Sequence, residues 1–183
     1  AQSIMKALDP QKYEVIPIGV SKQGTWVVGA DPKGFLPAPA ERQQLETAPK
    51  ETASRTALVG DPSHQGMILL DRKNAQQRVK LDVVFPIVHG TYGEDGTLQG
   101  LLEMADLPYV GCGVMASSVG MDKTTAKRLF RDAGLPIAAF TEHLRRDWRE
   151  RPDKVIAEIE AAFGYPCFVK PVNSGSSVGV SKA

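Results

Sequence analysis

The chain has 183 residues, of which 42% are hydrophobic and 23% are charged. These values are typical of a packed globular protein and exclude collagen-like, coiled-coil and small disulfide-stabilised proteins. Because 22 Lys and Arg residues nearly balance 21 Asp and Glu residues, leaving a net charge of +1, we expect no general attraction to nucleic acid or to membranes.

The cysteines and the apolar runs predict a cytoplasmic protein. Cys112 and Cys167 lie far apart and outside any Cys-x-x-Cys motif, which predicts neither a zinc site nor a disulfide framework. No apolar run approaches the roughly 20 residues of a membrane-spanning helix, and the opening segment AQSIMKALDP lacks the layout of a signal peptide. The sequence starts without Met and ends within a predicted strand, so we expect a segment of a longer chain.

The first part of the chain predicts a helix, several strands and one long loop. Apolar residues at helical spacing predict the end of an amphipathic helix over 1–8. Stretches rich in β-branched and apolar residues predict strands over 13–20, 25–28 and 67–70. Residues 31–66 contain five prolines and many polar side chains, so we expect a long irregular excursion there.

A strand, a loop, a helix and a second strand follow. The apolar run over 81–88 is typical of a strand buried on both faces of a parallel sheet. The loop HGTYGEDG separates it from a predicted helix over 97–105, with Thr97 as N-cap, and a strand over 108–111. This order is typical of a doubly wound parallel sheet, which binds ligands beyond the carboxyl ends of its strands. His89 lies at such an end. It can be a ligand contact, a base or a structural residue of its loop.

Beyond Cys112, where we place a domain boundary, the pattern changes to a smaller α+β lobe. Its predicted elements are a helix from Ser117 or Ser118 to Ala133, ended by Gly134; a strand over 137–142; a helix over 153–163; a strand over 167–170; and a final strand–turn–strand hairpin.

The final hairpin has the composition of a phosphate site. Lys170 stands at a strand end, and Gly175 and Gly179 flank a pair of serines in the loop that follows. A fixed cation beside backbone N–H groups that glycine leaves accessible suits an oligophosphate, although the loop is not a Walker sequence. The alternative is an ordinary glycine-rich surface hairpin.

A second glycine pattern, GCGVMA over 111–116, matches the GxGxx[GA] fingerprint of dinucleotide sites. That fingerprint belongs in the first βα turn of its domain, whereas this one lies at the far end. We therefore favour close packing at a helix entry over an NAD site.

Three long blocks together resemble one family. VVFPIVHGTYGEDGTLQGLLEMADLPYVG, GMDKTTAKRLFRDAGLP and FVKPVNSGSSVGVSK are similar, in order and spacing, to the D-alanine:D-alanine ligases of the ATP-grasp superfamily. The resemblance covers nearly the whole chain and fades only over 31–66. It implies an α/β fold: a doubly wound, Rossmann-like domain over 1–111 that lacks its first strand, then the α+β small lobe of an ATP-grasp fold over 112–183.

The resemblance also implies site residues. Two lysines and a serine loop would hold and cover the ATP phosphates, an aromatic residue would pack beside the nucleotide, and the HGTYGEDG loop would serve the first D-alanine. The implied residues are Lys123, Lys170, Phe168, Ser176 and Ser177 for ATP, Lys170 and Ser176 for catalysis, and His89 and Glu94 for D-alanine.

The implied reaction is the ATP-dependent joining of two D-alanines through an acyl phosphate, for peptidoglycan precursor synthesis. It requires Mg²⁺, with a second Mg²⁺ or Mn²⁺ as an option, and the family usually acts as a homodimer. The metal ligands are expected in a C-terminal part outside this sequence, so we expect the chain alone to be inactive. The alternatives are a D-alanine:D-lactate or D-serine ligase, another carboxylate–amine ligase of the superfamily, and a nucleotide-binding fragment without catalysis.

Overall fold

The computed structural model describes residues 1–21, 23–28, 54–70 and 77–183. The chain forms two compact units, one of residues 1–87 and 101–110 and the other of residues 88–100 and 111–183. Most of the predicted irregular excursion, residues 31–53, lies outside the described residues.

The first unit contains a five-stranded antiparallel sheet in which strands consecutive in the chain are neighbours. Its elements are α1 (Gln2–Ala7), β1 (Ile18–Val20), β2 (Trp26–Val28), β3 (Ser54–Leu58), a 3-10 turn (Pro62–His64), β4 (Gly66–Leu69) and β5 (Arg78–Lys80). The helix α1 and the strands β1, β2 and β4 were predicted, although β1 is shorter than expected. The strand β3 shows that the prediction of irregular structure is wrong for residues 54–58.

The buried apolar side chains of the first unit come from the sheet and from the chain that follows it. Met67 of β4 and Leu102 are each 1% exposed, and Leu81, Ala105 and Leu107 are also buried. Complete burial of a large apolar side chain stabilises a fold by about 1.5–3 kcal/mol relative to exposure. These side chains therefore supply much of the free energy that holds this unit together.

The apolar run over 81–88 is not a regular strand. Val84 forms one isolated parallel bridge, with Tyr109, and the predicted strand around Tyr109 contributes only this bridge. Val83 and Phe85 are 52% and 50% exposed, so the run is not buried on both faces. The doubly wound parallel sheet is therefore not confirmed: among the described residues, the large sheet is antiparallel and parallel pairing is confined to this bridge.

The second unit contains helices and one short strand pair. The helix α2 (Thr97–Met104) belongs to the second unit up to residue 100 and to the first unit from residue 101. The second unit continues with α3 (Val114–Met121), α4 (Lys123–Asp132), α5 (Arg145–Glu150), α6 (Pro152–Ala162), β6 (Phe168–Val169) and β7 (Ser181–Lys182). The single helix predicted from Ser117 or Ser118 is wrong, because both serines lie inside α3 and the helix breaks at Asp122. Asp122 accepts a hydrogen bond from the Thr125 N–H at 2.8 Å and so caps α4. Gly134, with φ +73°, follows the end of α4 as predicted.

The predicted strand over 137–142 has no ladder partner among the described residues. Side chains of α4 hold this segment instead. Lys127 Nζ lies 5.0 Å from the centre of the Phe140 ring, and Arg128 donates to Glu142 at 2.5 Å. The segment is therefore attached to α4 by side chains rather than by backbone pairing.

The end of the chain forms the predicted hairpin. β6 and β7 pair antiparallel, with Phe168 opposite Lys182. The helix predicted over 153–163 is confirmed as α6, displaced by one residue. None of the helices in the described ranges is long and apolar enough to cross a bilayer.

Candidate functional site

The HGTYGEDG loop, residues 89–96, is held by its own two carboxylates. Glu94 Oε2 accepts from the Gly90 N–H at 2.5 Å, and the Glu94 N–H donates to the Gly90 carbonyl at 2.9 Å. Asp95 accepts from the Tyr92 N–H at 2.8 Å and from the Thr97 N–H at 3.0 Å. These bonds, the one from Tyr92 foremost, hold the pKa of Asp95 below its usual range. Four backbone N–H groups, those of Gly90, Tyr92, Glu94 and Thr97, thus find acceptors within the loop.

Asp95 also corrects the predicted start of α2. The sequence predicted Thr97 as the N-cap, but Thr97 is the first helical residue. The Asp95 carboxylate takes the capping role, because it accepts the Thr97 N–H. An Asp two residues before a Thr at a helix start was a readable signal for this cap.

His89 and Glu94, the two residues predicted to serve a substrate, lie together. His89 Nδ1 is 3.7 Å from Glu94 Oε1, an ion pair when the imidazole is protonated. The His89 side chain is 81% exposed and that of Glu94 is 49% exposed. The pair therefore faces the surface, where a small polar ligand can reach it.

Helix α3 is attached to the same loop through a serine. Ser118 Oγ lies 2.8 Å from the carbonyl of Asp95 and 2.9 Å from that of Val114. Gly96 lies between them with φ +90°, and a Cβ there would come 2.7 Å from the Val114 carbonyl. Only glycine fits this position without displacing α3.

Lys123 connects the start of α4 to the loop after Lys170. Its Nζ donates to the carbonyl of Ser174 at 2.5 Å and approaches that of Val172 at 3.4 Å. Its backbone N–H donates to Val172 as well, at 3.2 Å. The first predicted phosphate-binding lysine is thus adjacent to the loop that follows the second.

The glycine–serine loop has an unusual backbone. Ser176 and Ser177 both adopt left-handed conformations, with φ +49° and +59°, at a cost on the order of 1 kcal/mol each. The Val178 N–H closes the turn on the Gly175 carbonyl at 3.0 Å. Both serines are exposed. Strained residues of this kind concentrate at ligand-binding loops.

Lys170 and Phe168 lie beside this loop, at the end of β6. Lys170 Nζ is 5.9 Å from the centre of the Phe168 ring, and Phe168 is 63% exposed. An exposed aromatic ring beside an ammonium group can contact both the base and the phosphates of a nucleotide. Within the described part of the chain, no hydrogen bond or ion pair joins either residue to His89 or Glu94.

The two loops meet at Gly175. A Cβ on this glycine would lie 4.0 Å from Glu94 Oε2 and 3.9 Å from Met121 Cε, so the backbone of the serine loop runs past the Glu94 carboxylate. Glu94 belongs to the predicted D-alanine pocket, whereas the loop of Gly175 belongs to the predicted phosphate site. The structure therefore brings Gly175 of the serine loop close to Glu94, one of the residues predicted for D-alanine.

The second glycine pattern, GCGVMA, forms a helix entry. Gly113 is the N-cap of α3 without a side-chain bond, and Ser117 Oγ donates to the Cys112 carbonyl at 3.2 Å. Gly111 adopts φ +130°. The glycines thus lie in the turn into α3, as predicted, but a Cβ on Gly111 would meet no atom within 4 Å, so the expected close packing is not found at Gly111.

Two models of protein families match the chain. The model for the D-ala D-ala ligase N-terminus matches residues 1–112, and the model for the D-ala D-ala ligase C-terminus matches residues 129–183. The chain belongs to the D-alanine–D-alanine ligase family. The resemblance predicted from the three sequence blocks is thereby confirmed.

Individual members of the ligase family are similar in sequence to this chain over its whole length. It is 45% identical over 182 residues to a D-alanine–D-alanine ligase of Geobacillus kaustophilus, covering 100% of this chain and 47% of the relative. It is also 45% identical over 182 residues to D-alanine–D-alanine ligase A of Escherichia coli K12, covering 100% of this chain and 48% of the relative. The chain thus spans about half the length of the curated relatives it matches.

Solved structures of the ligase family have the same fold. The VanG D-Ala:D-Ser ligase of Enterococcus faecalis superposes with a TM-score of 0.80 at 31% identity, over 98% of this chain and 48% of that one. The D-alanine–D-alanine ligase of Coxiella burnetii superposes with a TM-score of 0.77 at 34% identity, over 98% of this chain and 49% of that one. The fold described above is therefore that of this ligase family, which is α/β in composition.

Sequence reasoning missed three polar residues that shape the site of this ligase-family chain. Asp95 and Ser118 hold the HGTYGEDG loop, and Gln99 donates to the Gly93 carbonyl at 3.2 Å. Asp95 could have been found from its spacing to Thr97. Ser118 carries no local signal, because its partner Asp95 lies 23 residues earlier. Gln99 bonds the loop just before its own helix, but no sequence motif marks that contact.

Proposed function

We propose that this chain is the part of an ATP-dependent ligase that binds the phosphates of ATP and the first D-alanine. The whole protein would join two D-alanines for peptidoglycan precursor synthesis. The observation that carries the proposal is the junction at Gly175, where the serine loop passes the Glu94 carboxylate. A ligase that phosphorylates its substrate needs the nucleotide and the amino acid at neighbouring positions.

The nucleotide would be held by Lys123, Lys170 and the serine loop. The Lys123 ammonium has three donors, and the carbonyls of Ser174 and Val172 engage two of them. The remaining donor and the exposed Lys170 would face the phosphates, with Phe168 packed beside the base. Ser176 and Ser177 would close over the phosphates, with Ser176 and Lys170 taking part in catalysis. Cations placed around the transferred group and a loop that excludes water are what this chemistry requires.

The D-alanine carboxylate would lie at His89, with Glu94 supporting the histidine from 3.7 Å. A carboxylate oxygen of this D-alanine would attack the γ-phosphorus of ATP, breaking the bond to ADP and forming an acyl phosphate. The amine of the second D-alanine would then attack the acyl carbon, losing a proton and expelling phosphate. The acyl phosphate hydrolyses in water, so the loops must exclude solvent during its lifetime.

Mg²⁺ would be supplied with ATP, and we expect its protein ligands outside the described residues of this chain. Among these residues, no group of three or more His, Cys, Asp or Glu side chains is arranged to hold a metal ion, whereas Mg²⁺ in nucleotide sites is held by carboxylates and phosphates. We assign the ligands, including those of a second Mg²⁺ or Mn²⁺, to the part of the ligase that this chain does not span. A bound ion would neutralise charge on the phosphates.

Other proposed properties of the whole protein rest on the resemblance to the family rather than on the contacts described. We infer a cytoplasmic homodimer without nucleic-acid or membrane partners. We also infer a doubly wound parallel domain over 1–111 and an ATP-grasp small lobe over 112–183. Analytical ultracentrifugation of the full-length protein would test the dimer.

The test is ADP formation by the full-length protein with ATP, Mg²⁺ and D-alanine, with the product identified by mass. We expect ADP formation that depends on D-alanine and yields the dipeptide, and no turnover by the 183-residue chain alone. Turnover by that chain would contradict the proposed division of the site. Absence of D-alanine-dependent ADP formation by the full-length protein would contradict the function.

A second candidate function is supported by the likeness to the D-Ala:D-Ser ligase of Enterococcus faecalis, at a TM-score of 0.80. Such an enzyme shares the first D-alanine and ATP but uses a different second substrate. Competition between D-alanine, D-serine and D-lactate in the same assay separates these ligases by product mass.

A further inference from the structure

Gln99 is a buried polar residue that the proposed chemistry does not use. It lies in the first turn of α2 and is 7% exposed. Its Nε2 donates to the Gly93 carbonyl at 3.2 Å, while its Oε1 is buried without a partner among the described residues. The amide orientation is determined, because the opposite one would place two oxygens against each other.

The carbonyl that Gln99 holds belongs to the peptide group that leads into Glu94. The other end of this peptide, the Glu94 N–H, donates to the Gly90 carbonyl at 2.9 Å. The peptide is therefore fixed at both its oxygen and its nitrogen, which sets the direction in which the Glu94 side chain leaves the backbone. Gly93 is itself buried, and a Cβ there would come 2.8 Å from Val88 Cβ, so the loop has no room to shift toward Val88.

Stability alone does not account for a glutamine at this position. A buried acceptor without a partner is unfavourable, so Gln99 Oε1 lowers the stability that a purely apolar side chain would give. In a Gln99→Leu variant, one buried unpaired acceptor, Oε1, is exchanged for another, the Gly93 carbonyl. The free energy of unfolding should therefore change little, whereas the constraint on Glu94 is lost.

We propose that Gln99 is a positioning residue for the first D-alanine subsite. It acts through the Gly93 carbonyl on Glu94, and through Glu94 on His89, which lies 3.7 Å away. Gln99 itself contacts neither substrate. The assignment of the subsite rests on the proposed function, whereas the action of Gln99 on the loop rests on the hydrogen bonds alone.

The test compares wild type, Gln99→Leu and Glu103→Gln in the full-length protein. Glu103 lies one turn further along α2 and bonds Tyr109, so its variant controls for changes in the helix. We expect Gln99→Leu to raise the KM for the first D-alanine about tenfold, as small displacements of binding groups do. Its KM for ATP should stay within about twofold and its Tm close to that of wild type. Glu103→Gln should leave all three unchanged.

Amide exchange over residues 88–96 gives a second readout that needs no activity. The N–H groups of Gly90 and Glu94 should exchange faster in Gln99→Leu than in wild type or in Glu103→Gln. A folded Gln99→Leu variant with unchanged exchange and unchanged D-alanine KM would overturn the proposal. A fall in Tm and kcat together with a rise in both KM values would also overturn the proposal, since a merely structural residue would affect all of these quantities.

The two proposals can fail separately. If the wild-type protein forms no ADP with D-alanine, the ligase function fails, and the exchange rates still decide whether Gln99 positions the loop. If the wild type is active but Gln99→Leu binds D-alanine normally, only the positioning role fails.

Discussion

The ammonium group of Lys123 donates a hydrogen bond to the carbonyl of Ser174 at 2.5 Å, across 51 residues of chain. Its backbone N–H reinforces the contact through Val172, at 3.2 Å. The lysine therefore has two partners of different kinds in the proposed complex: the loop, already bound, and the phosphates of ATP. Its substitution should affect both.

Lys123→Met should weaken ATP binding about tenfold, since a charge-assisted bond to phosphate is lost and the loop loses its anchor. Titration calorimetry with a non-hydrolysable ATP analogue measures the effect. The matched control is Lys127→Met, one turn further along α4, whose ammonium bonds the Ala138 carbonyl at 3.2 Å. If wild type and Lys123→Met bound the ATP analogue with equal affinity, Lys123 would not belong to the nucleotide site.

Gly96→Ala and Gly175→Ala should differ sharply in stability. Gly96 has φ +90° and faces α3, where a Cβ would come 2.7 Å from the Val114 carbonyl. At Gly175 a Cβ meets only ordinary contacts, at 3.9 and 4.0 Å. We expect Gly96→Ala to lose about 2 kcal/mol or more and Gly175→Ala to unfold like wild type. Urea unfolding compares the two, and equal stabilities would contradict the described packing of α3.

The negative charge of Asp122, which caps α4, should stabilise the folded protein only above acidic pH. The Thr125 N–H is the main cause that holds the pKa of Asp122 below its ordinary value of 3.8. The folded protein therefore binds this proton less readily than the unfolded chain. The resulting stabilisation is complete above the unfolded pKa and is lost as the pH falls through the lower folded one.

Asp122→Asn tests this directly, since asparagine keeps the capping geometry but has no charge. Urea unfolding at pH 7 should show the variant less stable than wild type by no more than about 1 kcal/mol, the typical value of a cap. This difference in the free energy of unfolding should vanish at acidic pH, where Asp122 is protonated in the folded protein as well. Asp132→Asn, at the opposite end of α4, should not lower stability at any pH, because a negative charge there opposes the helix dipole. A pH-independent difference for Asp122→Asn would exclude an electrostatic contribution.

Local patterns predicted the elements that depend on neighbouring residues. The helix α6 and the turn at Gly134 follow from apolar spacing and glycine, and both were found. The break at Asp122 was missed, since the apolar pattern runs through both helices while the cap depends on a single carboxylate. The pairing of strands was predicted least well. The run over 81–88 has the composition of a strand, but composition does not show which distant residues it pairs with.

The site was predicted unevenly for the same reason. The family resemblance pointed to His89 and Glu94, and the structure brings them together, but their roles stay predictions. It could not point to Gln99, whose proposed role rests on a bond to a carbonyl six residues earlier and on burial. The sequence shows which side chains are present, whereas the orientation of a loop peptide emerges only when a helix packs behind it.

The two loops of the proposed site differ in the sequence separation of the contacts that form them. Tyr92 and Asp95 are three residues apart, so the HGTYGEDG loop can acquire its shape from nearby chain. The Lys123 contact with Ser174 must close 51 residues, which costs more chain entropy and comes later as a rule. We therefore expect the amino-acid pocket to be organised early in folding. The nucleotide loop would be organised last, once α4 to α6 are in place.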